Sequence, residues 1–385
     1  MSSDRPFISF AASPAYGHLF PMLPLADAAR RRGARVHVAV GPPFLGSLPF
    51  PTVRGSTVDP VATDMRAWTL EHYPAVTEHV PTRWVPTFFG VAHALPAVEA
   101  LRLAWRADRP DLVVFDTANP GAAVVADELG IPSLTFGVFH YFTPALDLPG
   151  VTRRALDDPT TPPWEPLASP PAPRAYIDPV PPALQLGPVA THPARVVPIR
   201  TTPWQDPATG ASPLPRRRGR RPLAYVTFGT VVSTTEVFRS VVAGTAQVAD
   251  VVASTGPALD PDVLAAMPDT VTAVPFVPVG RVLAEADVVV HHGGLGTTLA
   301  AAARGLPQVV VPQVGDQLAN ANAVTRAEVG VALPSDPTPD DVAQAVRHVL
   351  ADASVREAAR ELATRIRAMP APDAVAGDLI AAVRA

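Results

Sequence analysis

Short apolar runs recur along the chain, each closed by glycine, proline or polar turn residues and several followed by a helical pattern. Residues 7–11 form one such run, and residues 21–32 then place Leu23, Ala26, Ala29 and Arg30 at helical spacing before Gly33 closes the helix. A second run at 36–40 completes a βαβ unit. Residues 111–115 (DLVVF) predict another strand, followed by a helix over 122–129 that Gly130 stops. The alternation resumes at 223–228, 251–254 and 271–274, and it is clearest in residues 287–317, DVVVHHGGLGTTLAAAARGLPQVVVPQVGDQ. There an apolar run, a glycine-bearing turn, an Ala-rich helix and a second apolar run at 309–311 read as one unit of parallel sheet. Near the end, Thr338, Pro339 and Asp341 predict a capped helix, Ser354 and Glu357 a capping box for the next, and residues 373–384 a last helix. The fold class is α/β with parallel sheets.

Two stretches break the pattern. Residues 57–96 show no clean period and gather Trp68, Tyr73, Trp84, Phe88 and Phe89 between prolines, which reads as a loop-rich insertion. Its aromatics suit either a pocket for a flat apolar ligand or ordinary core packing. From 148 to 222 proline becomes dense, as in DDPTTPPWEPLASPPAPRAY, and long helices are not expected there. Residues 185–188 (QLGP) read as the last strand of a first domain. The arginine-rich run 216–221 reads as solvated linker in preference to an anion patch. The expected boundaries are 1–205 for a first domain, 206–222 for a linker, 223–368 for a second domain and 369–385 for a terminal helix.

Composition narrows the function. A chain of 385 residues with 48% hydrophobic content has room for two globular cores. The net charge of -4 gives no reason to expect nucleic acid or an anionic membrane as partner. With no cysteine there is no disulfide framework, thiolate nucleophile or cysteine metal site, and with no lysine there is no Schiff-base chemistry. No apolar run approaches a bilayer's thickness and the start lacks a signal-peptide core, so a cytoplasmic protein is expected.

The turn HHGGLGTT carries the candidate chemistry. It sets glycines and hydroxyls where a strand hands over to a helix, so backbone N–H groups and the positive end of the helix dipole face one space and suit an anion. It is neither of the standard glycine-rich nucleotide fingerprints. Pro312, Gln313, Asp316 and Gln317 follow the next strand at the edge where α/β sheets bind ligands, and a carboxylate with an amide suits sugar hydroxyls.

This ordered combination resembles the donor segment of nucleotide-sugar glycosyltransferases with the GT-B fold, above all the bacterial antibiotic and macrolide glycosyltransferases. The resemblance implies two Rossmann-like domains facing across a cleft, with the terminal helix packing back on the first. It implies that His292, Gly294, Gly296 and Thr297 hold the diphosphate and that Asp316 and Gln317 hold sugar hydroxyls. FGT at 228–230 resembles the family's first donor turn, adding Gly229 and Thr230. Phe276, with Val277 beside it, stands where related enzymes stack an aromatic ring on the base, although Phe276 reads equally well as core. GHLFPMLPLA resembles the family segment whose histidine deprotonates the acceptor, which makes His18 the expected base. Asp116, at the end of its strand, is the expected partner that orients the imidazole. The acceptor region by resemblance includes Trp68, Trp84, Phe88, Phe89, Phe139 and Tyr141.

One position departs from the related plant enzymes that use UDP-sugars. Where they carry a glutamate for the ribose diol, this chain has Ala300, which favours dTDP over UDP as donor nucleotide. The expected activity is inverting transfer of a sugar, a deoxysugar in this reading, from dTDP-sugar to a hydroxyl of a hydrophobic natural product such as a polyketide. No metal or other cofactor is expected, and a homodimer is possible. A sugar-nucleotide epimerase and a noncatalytic nucleotide-sugar-binding helper of the same fold are the alternatives.

Overall fold

A computed structural model describes residues 5–58, 64–77, 80–140, 147–167, 174–186, 195–204, 221–229, 235–256 and 259–384. The chain divides into two units. One comprises Met1–Pro179, Gly187–Ile199 and Pro370–Ala385, the other Val180–Leu186 and Arg200–Met369. No helix among the described residues is long and apolar enough to cross a membrane.

The first unit opens with β1 (Phe7–Ala11), a four-residue helix α1 (Tyr16–Leu19), α2 (Leu23–Arg31), β2 (Arg35–Val40) and β3 (Thr52–Arg54). It continues with α3 (Met65–His72), α4 (Pro81–Thr87), a π-helical turn (Phe88–His93) and α5 (Ala94–Ala107). Then come β4 (Leu112–Asp116), α6 (Pro120–Glu128), β5 (Ser133–Phe136), α7 (Leu148–Asp157), β6 (Tyr176–Asp178) and β7 (Val196–Pro198). The strands form one parallel sheet in the order β3-β2-β1-β4-β5-β6-β7. β1 and β4 are buried along their whole length, as expected of central strands covered by helices on both faces. Strand order reverses between these two, so their carboxyl ends open at the topological switch point.

The second unit repeats the plan. β8 (Leu223–Thr227), α8 (Thr235–Ala246), β9 (Asp250–Ser254) and β10 (Val271–Val274) lead to α9 (Val279–Glu285) and β11 (Val288–His291). α10 (Leu295–Arg304), β12 (Gln308–Val310), α11 (Gln317–Arg326), β13 (Gly330–Ala332), α12 (Pro339–Ala351) and α13 (Ala353–Ala368) follow. The parallel order is β10-β9-β8-β11-β12-β13. Alternation along the strands feeds two cores: Ala224, Val226, Val288 and Val290 pack with α8 and α12, while Tyr225 and Val289 pack with α9 and α10. The last helix, α14 (Pro372–Arg384), belongs to the first unit and packs on α2, where Arg32 pairs with Asp373 at 2.6 Å.

Several expectations change. The described part of 57–96 is largely helical: Pro81 begins α4 and Pro96 lies in the first turn of α5, where helices tolerate proline, while Pro86 lies inside α4. The proline-dense region opens with the ten-residue helix α7, which has a proline in its first turn. Of the strand expected over 185–188, Gln185 and Leu186 are in no strand, and residues 187–188 lie outside the described residues. Pro182–Leu184 is a 3-10 turn, and Val180 and Leu184 pack with α10, α11 and α13 in the second unit. The cap of α13 is Asp352, which accepts from the backbone of Ser354 and Val355, in place of a Ser354–Glu357 box.

Candidate active site

In the first unit, the β1–α1 turn and the end of β4 lie side by side because Ala11 pairs with Phe115 across the sheet. His18, in α1, thereby meets Asp116 with Nδ1 3.3 Å from Oδ1, although 98 residues separate them. Asp116 is fully buried and is fixed by two backbone donors: Ser13 N–H to Oδ2 at 2.5 Å and Ala118 N–H to Oδ1 at 2.6 Å. A carboxylate only accepts, so the facing Nδ1 carries the ring proton and Nε2 of the neutral imidazole is left as the acceptor. That is the tautomer of a general base.

Aromatic rings continue outward from His18. Phe139 meets it edge-on at 5.4 Å and Phe89 lies 6.0 Å away; Phe88 touches Phe89 at 5.0 Å, and Trp84 stacks on Phe88 at 4.7 Å. Four of the expected acceptor residues therefore form one row ending at the base. Trp68 is apart from it, its ring contacts being with His72 at 4.1 Å and Tyr73 at 6.5 Å. Tyr141 lies outside the described residues.

In the second unit, β8 and β11 flank the switch point and Thr227 pairs with His291, which brings Gly229 against His292. The His292 ring is wedged between two glycines. A Cβ on Gly229 would come within 2.7 Å of it, and a Cβ on Gly294 within 2.5 Å. Gly229 and Gly293 also adopt φ of +75° and +91°, which disfavours other residues. Burial pushes the His292 imidazole down to about 4, against a backbone contact with Thr227 that works the other way. Gly294 caps α10 with no side-chain acceptor, so the first N–H groups of this helix face outward unclaimed by a cap. Thr297 is half-buried and Gly296 exposed. Thr298 instead donates its hydroxyl to the Gly294 carbonyl at 3.1 Å.

The remaining donor candidates separate. Asp316 accepts from Asn320 Nδ2 at 3.1 Å. The Gln317 carbonyl oxygen is taken by its own loop, accepting from the backbone of Gln313 at 2.8 Å and Val314 at 3.1 Å, so its NH2 group is what it can offer a ligand. Phe276 is 52% exposed and is not core. The Val277 side chain lies in the core with Val282 and Leu283, which leaves only its backbone for a ligand. Ala300 is buried beside Tyr225 and Val289 and presents no group to a ribose. Thr230 lies outside the described residues.

Two residues that the sequence reading passed over hold the turn. His291 is fully buried; its Nδ1 accepts from Gly293 N–H at 3.1 Å and its Nε2 lies 2.9 Å from Gln308 Oε1. Burial holds it neutral, down to about 3, with His292 adding to the effect. Asn320 donates to the Gly293 carbonyl at 2.8 Å as well as to Asp316, so one amide ties the glycine turn to the expected sugar ligand. Its spacing of four residues after Asp316 on α11 was the available signal.

The comparisons with known proteins agree with this geometry. Residues 239–382 match the family model described as the erythromycin biosynthesis protein CIII-like, C-terminal domain. The chain is 31% identical over 384 residues to the elloramycin glycosyltransferase ElmGT of Streptomyces olivaceus, covering 96% of this chain and 95% of that one. It is 30% identical to the L-demethylnoviosyl transferase of Streptomyces niveus, with 96% and 97% covered. Among solved structures, the glycosyltransferase SsfS6 of Streptomyces sp. SF2575, complexed with thymidine diphosphate, has the same fold, with a TM-score of 0.76 at 23% identity over 97% of this chain and 99% of that one. With relatives of this identity along nearly its whole length, the chain belongs to the GT-B-fold antibiotic and macrolide glycosyltransferases and is itself a glycosyltransferase.

Proposed function

We propose that the protein moves a deoxysugar from dTDP-sugar to a hydroxyl of a hydrophobic, polyketide-like natural product, in a single inverting displacement without a metal. The observation that carries this reading is the His18–Asp116 pair at the end of a row of aromatic rings. His18 Nε2 takes the proton of the acceptor hydroxyl as its oxygen bonds to the anomeric carbon. The bond from that carbon to the diphosphate oxygen breaks, and the pair of electrons leaves with dTDP. One displacement inverts the anomeric centre. Asp116 keeps the ring oriented and stabilises it once protonated. The leaving diphosphate gathers charge, which the N-terminus of α10, with Thr297 and His292, would stabilise.

The name of the elloramycin glycosyltransferase supports the acceptor class, and SsfS6 was solved with thymidine diphosphate. Ala300 supports dTDP because α10 offers no carboxylate to a ribose diol. An epimerase or a noncatalytic helper no longer competes, since the family transfers sugars. Calorimetric titration with dTDP and with UDP, no metal added, tests the donor: tighter binding of dTDP is expected, and a clear preference for UDP would overturn the nucleotide assignment.

A further inference from the structure

Residues 81–107 run through α4, the π-helical turn Phe88–His93 and α5 without leaving the helix. One reason for the change of register is in the sequence. Pro96 has no N–H to offer the Ala92 carbonyl four residues back, and its ring crowds that oxygen. The turn decides which rings meet. At about 3.6 residues per turn, positions five apart lie on widely separated faces of an α-helix, yet the Phe88 and His93 rings touch at 4.5 Å. Phe88 also keeps Trp84, four positions back, at 4.7 Å. Through Phe89 the same turn reaches His18.

A contact from another helix grips this turn at its middle. Thr152 of α7 is fully buried, and its Oγ1 lies 2.7 Å from the Gly90 carbonyl and 3.0 Å from that of Leu148. A helical threonine ordinarily directs its hydroxyl to the carbonyl four residues back, as Thr69, Thr87 and Thr245 do. Thr152 has that choice in Leu148 and stands nearer to the other helix. Glycine at 90 permits the approach, because a Cβ there would come within 2.8 Å of Val151 Cγ1. A side chain inserted into the helical ladder is one of the ways a helix leaves α geometry. Loss of the donor to a buried carbonyl is costly, so the turn is held where Thr152 can reach it.

We propose that Thr152 is a positioning residue for the acceptor: by holding the Gly90 carbonyl it keeps the π-helical register that lines up Phe88 and Phe89 with His18. It acts through those rings and not on the reacting groups. That the rings receive an acceptor rests on the transferase reading; the register they adopt does not.

The test compares Thr152→Val, which keeps the shape and loses the hydroxyl, with Thr152→Ser, which keeps the hydroxyl. In the full chain, the nuclear Overhauser contact between the Phe88 and His93 rings reports the π register, and the one between Trp84 and Phe88 is the control. Thr152→Val is expected to lose the first and keep the second; Thr152→Ser should keep both. Calorimetry with 2-naphthol, a flat apolar phenol, should show binding about tenfold weaker in Thr152→Val than in wild type, the worth of one displaced aromatic contact. Affinity for dTDP should be unchanged. If Thr152→Val does not fold, Gly90→Ala, whose methyl would press on Val151, should lose the same ring contact, and Val151→Ala added to it should restore the contact. A Phe88–His93 contact that survives these changes, or naphthol binding that is unaltered once it is lost, would overturn the proposal. Wild-type protein that does not bind naphthol would instead strike the acceptor reading of the row, with the register result still standing.

Discussion

Individual side chains divide the chemistry cleanly. His18→Ala removes the proposed base, and transfer should fall by about 10² to 10⁴, the usual worth of a positioned acid or base. Its affinity for dTDP should be unchanged, because the nucleotide candidates lie in the other unit; a matched loss of both would reassign His18 to folding. Asp116→Asn is a poorer probe, since the amide keeps one oxygen but sets its NH2 against either the Ser13 or the Ala118 N–H that now points at the carboxylate. Glycine supplies the sharpest test of the second site. Gly294 has φ of -60°, which alanine accepts, so the defect of Gly294→Ala is the contact alone. Its methyl would press on His292, whose other side is already closed by Gly229. Overpacking of this kind costs about 1 to 3 kcal/mol, and dTDP affinity should drop by about tenfold or more. Gly296→Ala, which meets nothing within 4 Å, should cost much less. Equal losses in the two variants would count against the wedged ring.

At the scale of elements, the long buried strands and the helices after them were legible, and the short strands and the helices of 64–96 were not. Buried parallel strands read as unbroken apolar runs, so β1, β4, β8 and β11 announce themselves. The short strands β5, β6 and β7 carry no such signal; their identity comes from the ladder they join. Proline misled in the opposite direction, because a first-turn proline and a helix-breaking one look alike until the start of the helix is known. The cap of α13 makes a similar point with a testable consequence. Asp352 holds two backbone donors, while Glu357 pairs only with exposed Arg360. Asp352→Ala should lower the melting temperature of the second unit, and Glu357→Ala should leave it where it is. A larger effect from Glu357→Ala would restore the capping box that the local sequence suggests.

Across the molecule, buried histidines couple folding to acidity. His37, His93, His291 and His292 are held at about 4, 4, 3 and 4, in each case chiefly by burial. All four lie below the ordinary value of 6.5, so the unfolded chain binds more protons than the folded one across that interval. Stability from these groups is fully present above pH ~6.5 and is lost as pH falls toward ~4, by up to about 1.4 kcal/mol per pH unit for each histidine. Melting temperatures at pH 7, 6 and 5 should decline with net proton uptake on unfolding, and a flat profile over this range would contradict the burial. Each unit holds two of the four, so both transitions should move.

The sequence by itself determined the α/β class, the central strands and the glycine turn, because apolar runs, helical spacing and turn chemistry are local properties. Through the order HHGGLGTT and PQVGDQ it also carried the family. Only the tertiary structure decided which of those groups meet. His18 reaches Asp116, and His292 reaches Gly229, because strand order reverses between β1 and β4 and again between β8 and β11. That reversal depends on how helices cover the two sheets, and no stretch of sequence states it. The same packing put Val277 and Ala300 into the core, left Phe276 exposed, and gave His291 and Asn320 partners that spacing alone does not assign. Long-range contacts set these roles, since a side chain's partners come from whichever strands and helices the fold lays beside it.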